Sequence, residues 1–133
     1  MYKRQVWSGG KNFHFVEETA DINLVVEKTY QSAYGYSGQK CSACSIVYVP
    51  DTMYDEFIDK MRTFHHIHHI QHASEKKHYC LIDKNSYDRT VDTMKQATNS
   101  SNLMLDMGGG YSEENGYYVE PTMYNVPLCE PNM

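Results

Sequence analysis

The sequence predicts an α/β fold, with a sheet of about four or five strands flanked by about three helices. Apolar residues recur at helical spacing along residues 21–33, and a β-branched and aromatic strand pattern follows at residues 45–49. Helical patterns return from residue 51 and from residue 83, and another apolar strand pattern occupies residues 103–107. Because helix and strand periods alternate along the chain, we expect helices and strands to pack on one another in layers.

The composition argues against a nucleic-acid-binding protein and against a membrane-spanning one. The chain has 133 residues, of which 17 are acidic and 12 basic, for a formal net charge of −5. A nucleic-acid-binding protein needs a basic surface stripe, so nucleic acid is not expected as a partner. No apolar run approaches the roughly 18 residues of a membrane span, and residues 1–7 lack the apolar core of a signal peptide. We expect a soluble chain with one modest core, no membrane partner and no targeting segment.

The first elements are predicted from local signals. Residues 9–12 form a glycine-containing turn, and residues 13–16 alternate as a strand. Acidic residues and N-cap types at residues 17–21 precede the first helix, where they favour its positive N-terminus. Gly35 and Gly38 are predicted to end this helix and to allow a tight backbone path into the next strand.

Two further helices are predicted, each with an apolar stripe that faces a core. The second helix begins at residues 50–52, and Asp83 can cap the third. After the strand at residues 103–107 come a glycine turn, a polar loop at residues 111–115 and a returning strand at residues 116–124. The apolar stripe of the second helix is Met53, Phe57, Met61 and Phe64. The stripe of the third helix is Tyr87, Val91 and Met94.

A cysteine stands where the first helical pattern gives way to the strand pattern. Cys41 follows Gly38 in a turn whose backbone can approach a ligand closely, which makes its thiol a candidate nucleophile. A single cysteine is also often an inert packing residue, and on spacing alone that interpretation stays open. Cys44, which enters the strand, is expected to be the buried one of the two.

The four cysteines carry little disulfide signal. Cys41 and Cys44 form an isolated Cys-x-x-Cys pair, whereas Cys80 and Cys129 fit no partner pattern. The pair also invites a redox or zinc interpretation, but a zinc site needs a second ligand pair at matching spacing, and none follows nearby in the sequence. We therefore expect reduced thiols in an intracellular compartment.

A histidine-rich segment at residues 65–72 follows the second helical stripe. If the helix continues, four histidines fall on one face, at a spacing that can hold zinc, copper or nickel. Exposed histidines arise readily at this spacing, and no cysteine or carboxylate completes an obvious constellation. We assign no metal ligand and keep a histidine-rich metal-binding protein as an alternative. The four histidines are His65, His68, His69 and His72.

Three ordered segments of the chain resemble the aldehyde dehydrogenase superfamily. They are residues 9–15 (GGKNFHF), residues 38–45 (GQKCSACS) and residues 116–122 (GYYVEPT). The resemblance covers nearly the whole chain in family-like order, and it weakens between residues 65 and 79. Within the superfamily, the chain is most similar to the mitochondrial branch that oxidises glutamate semialdehyde (1-pyrroline-5-carboxylate) to glutamate in proline catabolism.

The resemblance implies a mechanism for Cys41. Its thiolate would attack the aldehyde, the thiohemiacetal would pass hydride to NAD, and a thioester would remain for hydrolysis. The Cys41 backbone N–H would form part of the oxyanion hole, and Gln39 and Ser42 would shape the substrate pocket. The family's glutamate general base stands two residues before the glycine pair, where this chain has Trp7. Because tryptophan cannot accept a proton from water, the resemblance implies that thioester hydrolysis lacks its usual base.

The resemblance also implies that residues 1–133 are a partial catalytic domain, without the dinucleotide-binding domain and the C-terminal remainder. NAD is the family's cofactor, but none is expected to bind this chain alone, and we expect the chain to be inactive by itself. The resemblance implies the mitochondrial matrix as the location, and family members form dimers or higher oligomers. A second hypothesis is therefore a pseudoenzyme or non-catalytic interaction module that pairs with itself or with full-length subunits.

Overall fold

The computed structural model describes residues 10–75 and 80–126, with the backbone alone for residues 69–75. Three α-helices and six short strands occur within these ranges, which confirms the α/β class and the three predicted helices. None of the helices described combines the length and the apolar composition that crossing a membrane requires. In chain order the elements are β1 (Asn12–Phe15), α1 (Ile22–Tyr34), β2 (Cys44–Tyr48), α2 (Asp51–Glu75), α3 (Lys84–Thr98), β3 (Met104–Met107), β4 (Tyr111–Ser112), β5 (Tyr118–Val119) and β6 (Met123–Asn125).

The strands pair two by two rather than forming one sheet of four or five strands. β1 and β2 run parallel, whereas β3 with β6 and β4 with β5 are antiparallel. The predicted returning strand, residues 116–124, is divided into β5 and β6 because the chain leaves the ladder at Glu120, Pro121 and Thr122. The Glu120 N–H still donates to the Gly110 carbonyl at 2.8 Å, which extends the β4–β5 pairing by one residue. Pro121 follows and has no N–H to donate, so the ladder ends there.

α1 and α3 begin at the aspartates that the sequence predicts as caps. The Asp21 carboxylate accepts hydrogen bonds from the N–H groups of Asn23 at 2.9 Å and Leu24 at 3.4 Å. The Asp83 carboxylate accepts from the Ser86 N–H at 2.7 Å. Each cap satisfies donors that a helix start leaves unpaired, and such a cap stabilises a helix by about 1 kcal/mol.

The main core lies between α1 and α2. Phe57 and Met61 of the predicted α2 stripe are each 1% exposed, and Phe64 packs against them at the edge of the cluster. Val26 and Tyr30 complete the contact from α1. Burying a side chain of this size contributes about 1.5–3 kcal/mol relative to leaving it exposed, so the helix pair supplies most of the apolar stabilisation of this part of the chain.

α3 packs on the β4–β5 pair in a smaller cluster. Tyr87, Val91 and Met94 are buried, as their spacing predicts. Leu81, from the segment before α3, joins Tyr87 and Val91 in the same cluster. The cluster therefore anchors the segment that leads into α3.

Candidate active site

Cys41 follows a strained backbone segment between α1 and β2. Tyr36, Ser37 and Gly38 have φ values of 58°, 56° and 69°, so three consecutive residues lie in the left-handed region. Glycine adopts this region freely, whereas other residues do so at a cost of roughly 1–2 kcal/mol each. The predicted role of glycine in this path is confirmed at Gly38, whereas Gly35 has a φ of −55° and acts only as the cap of α1. Strain is thus concentrated directly before the candidate nucleophile.

The glycine turn before β1 contacts the turn that carries Cys41. The Asn12 Nδ2 donates to the Cys41 carbonyl oxygen at 2.7 Å and to the Ala43 carbonyl oxygen at 3.2 Å. A Cβ at Gly10 would lie 2.6 Å from the same Cys41 oxygen, so this close approach requires glycine. Two of the family-like segments, distant in sequence, are therefore joined in space.

The two thiols of the Cys-x-x-Cys pair have different environments. Cys41 is exposed, whereas Cys44 is 8% exposed and its Sγ donates to the Ile46 carbonyl at 3.2 Å. Burial raises the pKa of the Cys44 thiol, which keeps it protonated and unreactive at neutral pH. Both are free of disulfides, as is the exposed Cys80, whereas Cys129 lies outside the described residues. Cys41 is therefore the thiol of the pair that an external electrophile can reach.

Gln39 holds a neighbouring loop rather than facing the solvent beside the thiol. Its Oε1 accepts from the Ile82 N–H at 2.9 Å, and its Nε2 donates to the Cys80 carbonyl at 3.1 Å and the Tyr36 carbonyl at 3.3 Å. Both ends of the carboxamide are therefore bonded to backbone, and Gln39 links the thiol turn to the segment before α3. Ser42, the other expected pocket residue, is exposed next to the thiol.

His65 is buried in a polar network that joins three elements. Its Nδ1 lies 3.0 Å from the Tyr30 hydroxyl of α1, and its Nε2 lies 3.1 Å from Oε1 of Glu120, which follows β5. The Glu120 Oε2 accepts from the Gly110 N–H at 2.9 Å. Burial, together with the nearby Glu120 carboxylate, raises the pKa of Tyr30 to about 12. The network thus ties the third family-like segment to the helix pair.

The histidine-rich segment does continue α2, and its two described candidate ligands, His65 and His68, contact other side chains. Both ring nitrogens of His65 already have partners, and the His68 ring lies against the Phe64 ring with centroids 4.1 Å apart. The side chains of His69 and His72 lie outside the described residues. Among the side chains that are described, no group of three or more histidines, cysteines and carboxylates could hold a metal ion.

Two features of this site were not predicted from the sequence. His65 extends the every-fourth-residue stripe of Phe57 and Met61, and this signal for burial was available in the sequence. The contact of Asn12 with the thiol turn had no local signal, because it depends on how β1 pairs with β2. Trp7, which stands at the expected general-base position, lies outside the described residues.

The chain belongs to the aldehyde dehydrogenase family, whose sequence pattern matches residues 2–131. More particularly, it is 37% identical over 118 residues to the mitochondrial Delta-1-pyrroline-5-carboxylate dehydrogenase of Danio rerio, covering 86% of this chain and 21% of that protein. It is 38% identical over 116 residues to the Mus musculus protein of the same name, covering 85% and 21%. The chain therefore spans about a fifth of the length of these relatives.

Solved structures share the fold. A Delta-pyrroline-5-carboxylate dehydrogenase from Mycobacterium tuberculosis bound with NAD superposes with a TM-score of 0.74 at 24% identity, covering 88% of this chain and 22% of that one. The 1-pyrroline-5-carboxylate dehydrogenase from Thermus with bound NAD gives a TM-score of 0.72 at 25% identity, covering 90% and 23%. These likenesses confirm the predicted fold.

Proposed function

We propose that Cys41 is the nucleophile of an NAD-dependent dehydrogenase that oxidises glutamate semialdehyde to glutamate, and that this chain is its nucleophile-bearing part. The observation that carries the proposal is the exposed Cys41 thiol on a strained turn, held against the glycine turn before β1. The relatives are mitochondrial Delta-1-pyrroline-5-carboxylate dehydrogenases, which supports this substrate and supports the mitochondrial matrix as the proposed location.

The first chemical step needs only the thiol and the aldehyde. The Cys41 thiolate forms a bond to the carbonyl carbon, the π electrons of the C=O bond move to the oxygen, and the oxygen takes up a proton to give a thiohemiacetal. The Cys41 backbone N–H is proposed to stabilise the developing oxyanion. Ser42, exposed beside the thiol, can contact the same substrate.

The described residues do not fit a dinucleotide. NAD would accept the hydride in the next step, and a dinucleotide cradle is a glycine turn that leads from a strand into a helix N-terminus. Here the turn at Gly108 and Gly109 leads from β3 into strand β4. We propose that these 133 residues alone bind no NAD and do not complete a turnover.

Thiol labelling tests the nucleophile. We expect iodoacetamide to label Cys41 much faster than Cys44, and glutamate semialdehyde to slow the labelling of Cys41 while leaving that of Cys80 unchanged, measured by peptide mass spectrometry. The Cys80→Ser variant is the matched control and should retain the protection. Labelling of Cys41 that the aldehyde does not slow would contradict the proposal, and NADH formation by the chain alone would contradict its inactivity.

An exposed apolar face supports a second candidate, a non-catalytic module that pairs with a full-length subunit. Phe13 and Phe15 of β1 are 63% and 77% exposed, and their register partners Ile46 and Tyr48 of β2 are 46% and 53% exposed. Alternate residues of paired strands share a face, so these four side chains form one apolar surface. Because the chain spans about a fifth of its relatives, the subunit of such a relative is the partner that we propose.

Co-elution tests this second candidate. On a size-exclusion column, the chain is expected to co-elute with the full-length Mus musculus relative, and Phe15→Ser should weaken the association. Leu24→Ser is the matched control, because Leu24 is 53% exposed on α1, away from that face. Independent elution of the two proteins at micromolar concentration would contradict the interaction-module hypothesis.

A further inference from the structure

We propose that Asn12 is the positioning residue of the Cys41 thiol, an inference that rests on the proposed nucleophile and extends it. The Asn12 carboxamide reaches from β1 across to the thiol turn, where its single nitrogen donates to the carbonyls of Cys41 and Ala43. These two carbonyls flank Ser42. One side chain therefore fixes the orientation of the peptide groups on both sides of the turn.

The pairing of the strands aims Asn12 at this turn. Asn12 pairs with Cys44, but the next residue, Phe13, pairs with Ile46, so the register shifts by one residue between them. The shift leaves Ser45 without a partner in the ladder. An irregularity of this kind bends a strand locally and redirects a side chain, and here it directs the carboxamide along the strand end toward the carbonyls.

A second contact from the same segment supports the assignment. Gly10 approaches the Cys41 carbonyl so closely that a Cβ would be 2.6 Å from the oxygen. The Cys41 carbonyl is thus enclosed by two residues of the glycine turn. The preceding residues, Tyr36 and Ser37, hold a left-handed conformation that would relax if the turn were free to move. The two Asn12 hydrogen bonds oppose this relaxation and hold the thiol in a constant orientation toward the incoming aldehyde.

The test uses the full chain and measures how far glutamate semialdehyde slows the labelling of Cys41 by iodoacetamide. In Asn12→Ala, we expect the concentration of glutamate semialdehyde that gives half-protection to rise about tenfold, the effect of losing one to two net hydrogen bonds. Thiol labelling of Cys80 should not change. Asn102→Ala, at an exposed asparagine in a loop, is the matched control and should leave protection at the wild-type level.

A destabilised control separates positioning from stability. Thr29→Val removes the 3.0 Å hydrogen bond between Thr29 and His14 of β1 and lowers stability without touching the thiol turn. Thr29→Val should keep wild-type protection even when its melting temperature falls as far as that of Asn12→Ala. Equal half-protection in wild type and Asn12→Ala, or an equal loss in Thr29→Val, would overturn the positioning role while leaving the nucleophile in place.

Hydrogen exchange distinguishes failure of the positioning role from failure of the nucleophile. If the aldehyde protects Cys41 in none of the proteins, the proposed nucleophile is wrong. The rate of amide hydrogen exchange in residues 40–44 then tests whether Asn12 holds the turn. Faster exchange there in Asn12→Ala than in Thr29→Val supports a turn held by Asn12. Equal exchange in the two variants overturns it.

Discussion

The α1–α2 core and the Cys41 turn adjoin at the end of α1, yet they are held by different forces. In the core, Phe57 and Met61 are 1% exposed, and apolar burial supplies the stability. In the turn, the Cys41 side chain is exposed, and hydrogen bonds from Asn12 and Gln39 fix a strained backbone. This chain therefore separates the residues that stabilise it from the residues that orient its candidate nucleophile.

The largest expected effect is in the core. Phe57→Ala should lower the free energy of unfolding by about 3–5 kcal/mol, because it removes a fully buried ring and leaves a cavity. Urea denaturation measures the change. Phe13→Ala is the matched control: its ring is 63% exposed, so the loss should stay below about 1 kcal/mol. Similar losses in the two variants would mean that the helix pair is not the stabilising core.

The next largest loss of stability is expected at the polar network formed by Tyr30, His65 and Glu120. His65→Ala should lower the free energy of unfolding by about 1–3 kcal/mol, because the Tyr30 hydroxyl and the Glu120 carboxylate both lose this partner in a buried setting. The exposed neighbour His66 provides the control, and His66→Ala should change stability by less than about 0.5 kcal/mol. If denaturation shows the same small change in both, the network does not stabilise the fold.

A smaller effect is expected at the strained turn. Gly38→Ala should destabilise the chain by about 1–2 kcal/mol, because φ is +69° and the new Cβ would lie 3.0 Å from the Ala33 carbonyl. Gly35→Ala is the control, since Gly35 has a negative φ and ordinary space for a Cβ. Thermal unfolding compares the two variants. Equal melting temperatures would show that the left-handed conformation is not maintained in solution.

The last effect is absent at neutral pH and appears only at high pH. The folded-state pKa of Tyr30 is raised from 10.0 to about 12, so its contribution to stability is complete below pH 10 and is lost as the pH rises from 10 through 12. Burial also raises the pKa of Tyr34, which adds to the same decline. Tyr30→Phe should make the decline shallower in urea titrations across this range. If the free energy of unfolding falls equally steeply with pH in Tyr30→Phe and in the wild type, Tyr30 does not titrate in the buried network.

Local features were predictable from the sequence. Apolar spacing located the three helices, N-cap residue types at residues 17–21 included the cap of α1, and Asp83 was identified as a cap for α3. The expected contrast between Cys41 and Cys44 was also confirmed. These predictions succeeded because spacing, capping and turn chemistry act within a few residues, where the sequence carries the whole signal.

The bonding partners of the candidate site were not predictable in the same way. The Gln39 carboxamide binds the backbone of the segment before α3, and His65 lies between Tyr30 and Glu120. The sequence pattern indicated neither set of partners. Each of these partners is at least 35 residues distant in sequence from the residue it contacts. A local sequence pattern does not indicate which residues at such a separation will be in contact.

The family, the three described helices and a thiol at a helix-to-strand junction followed from the amino-acid pattern. The pairing of the described strands two by two and the contact of Asn12 with the Cys41 turn became visible only in the folded chain. The two groups of features differ in the sequence separation of the residues that form them. Helical periodicity and capping depend on neighbours a few residues away, whereas strand partners and register depend on chain segments brought together only when the core is buried.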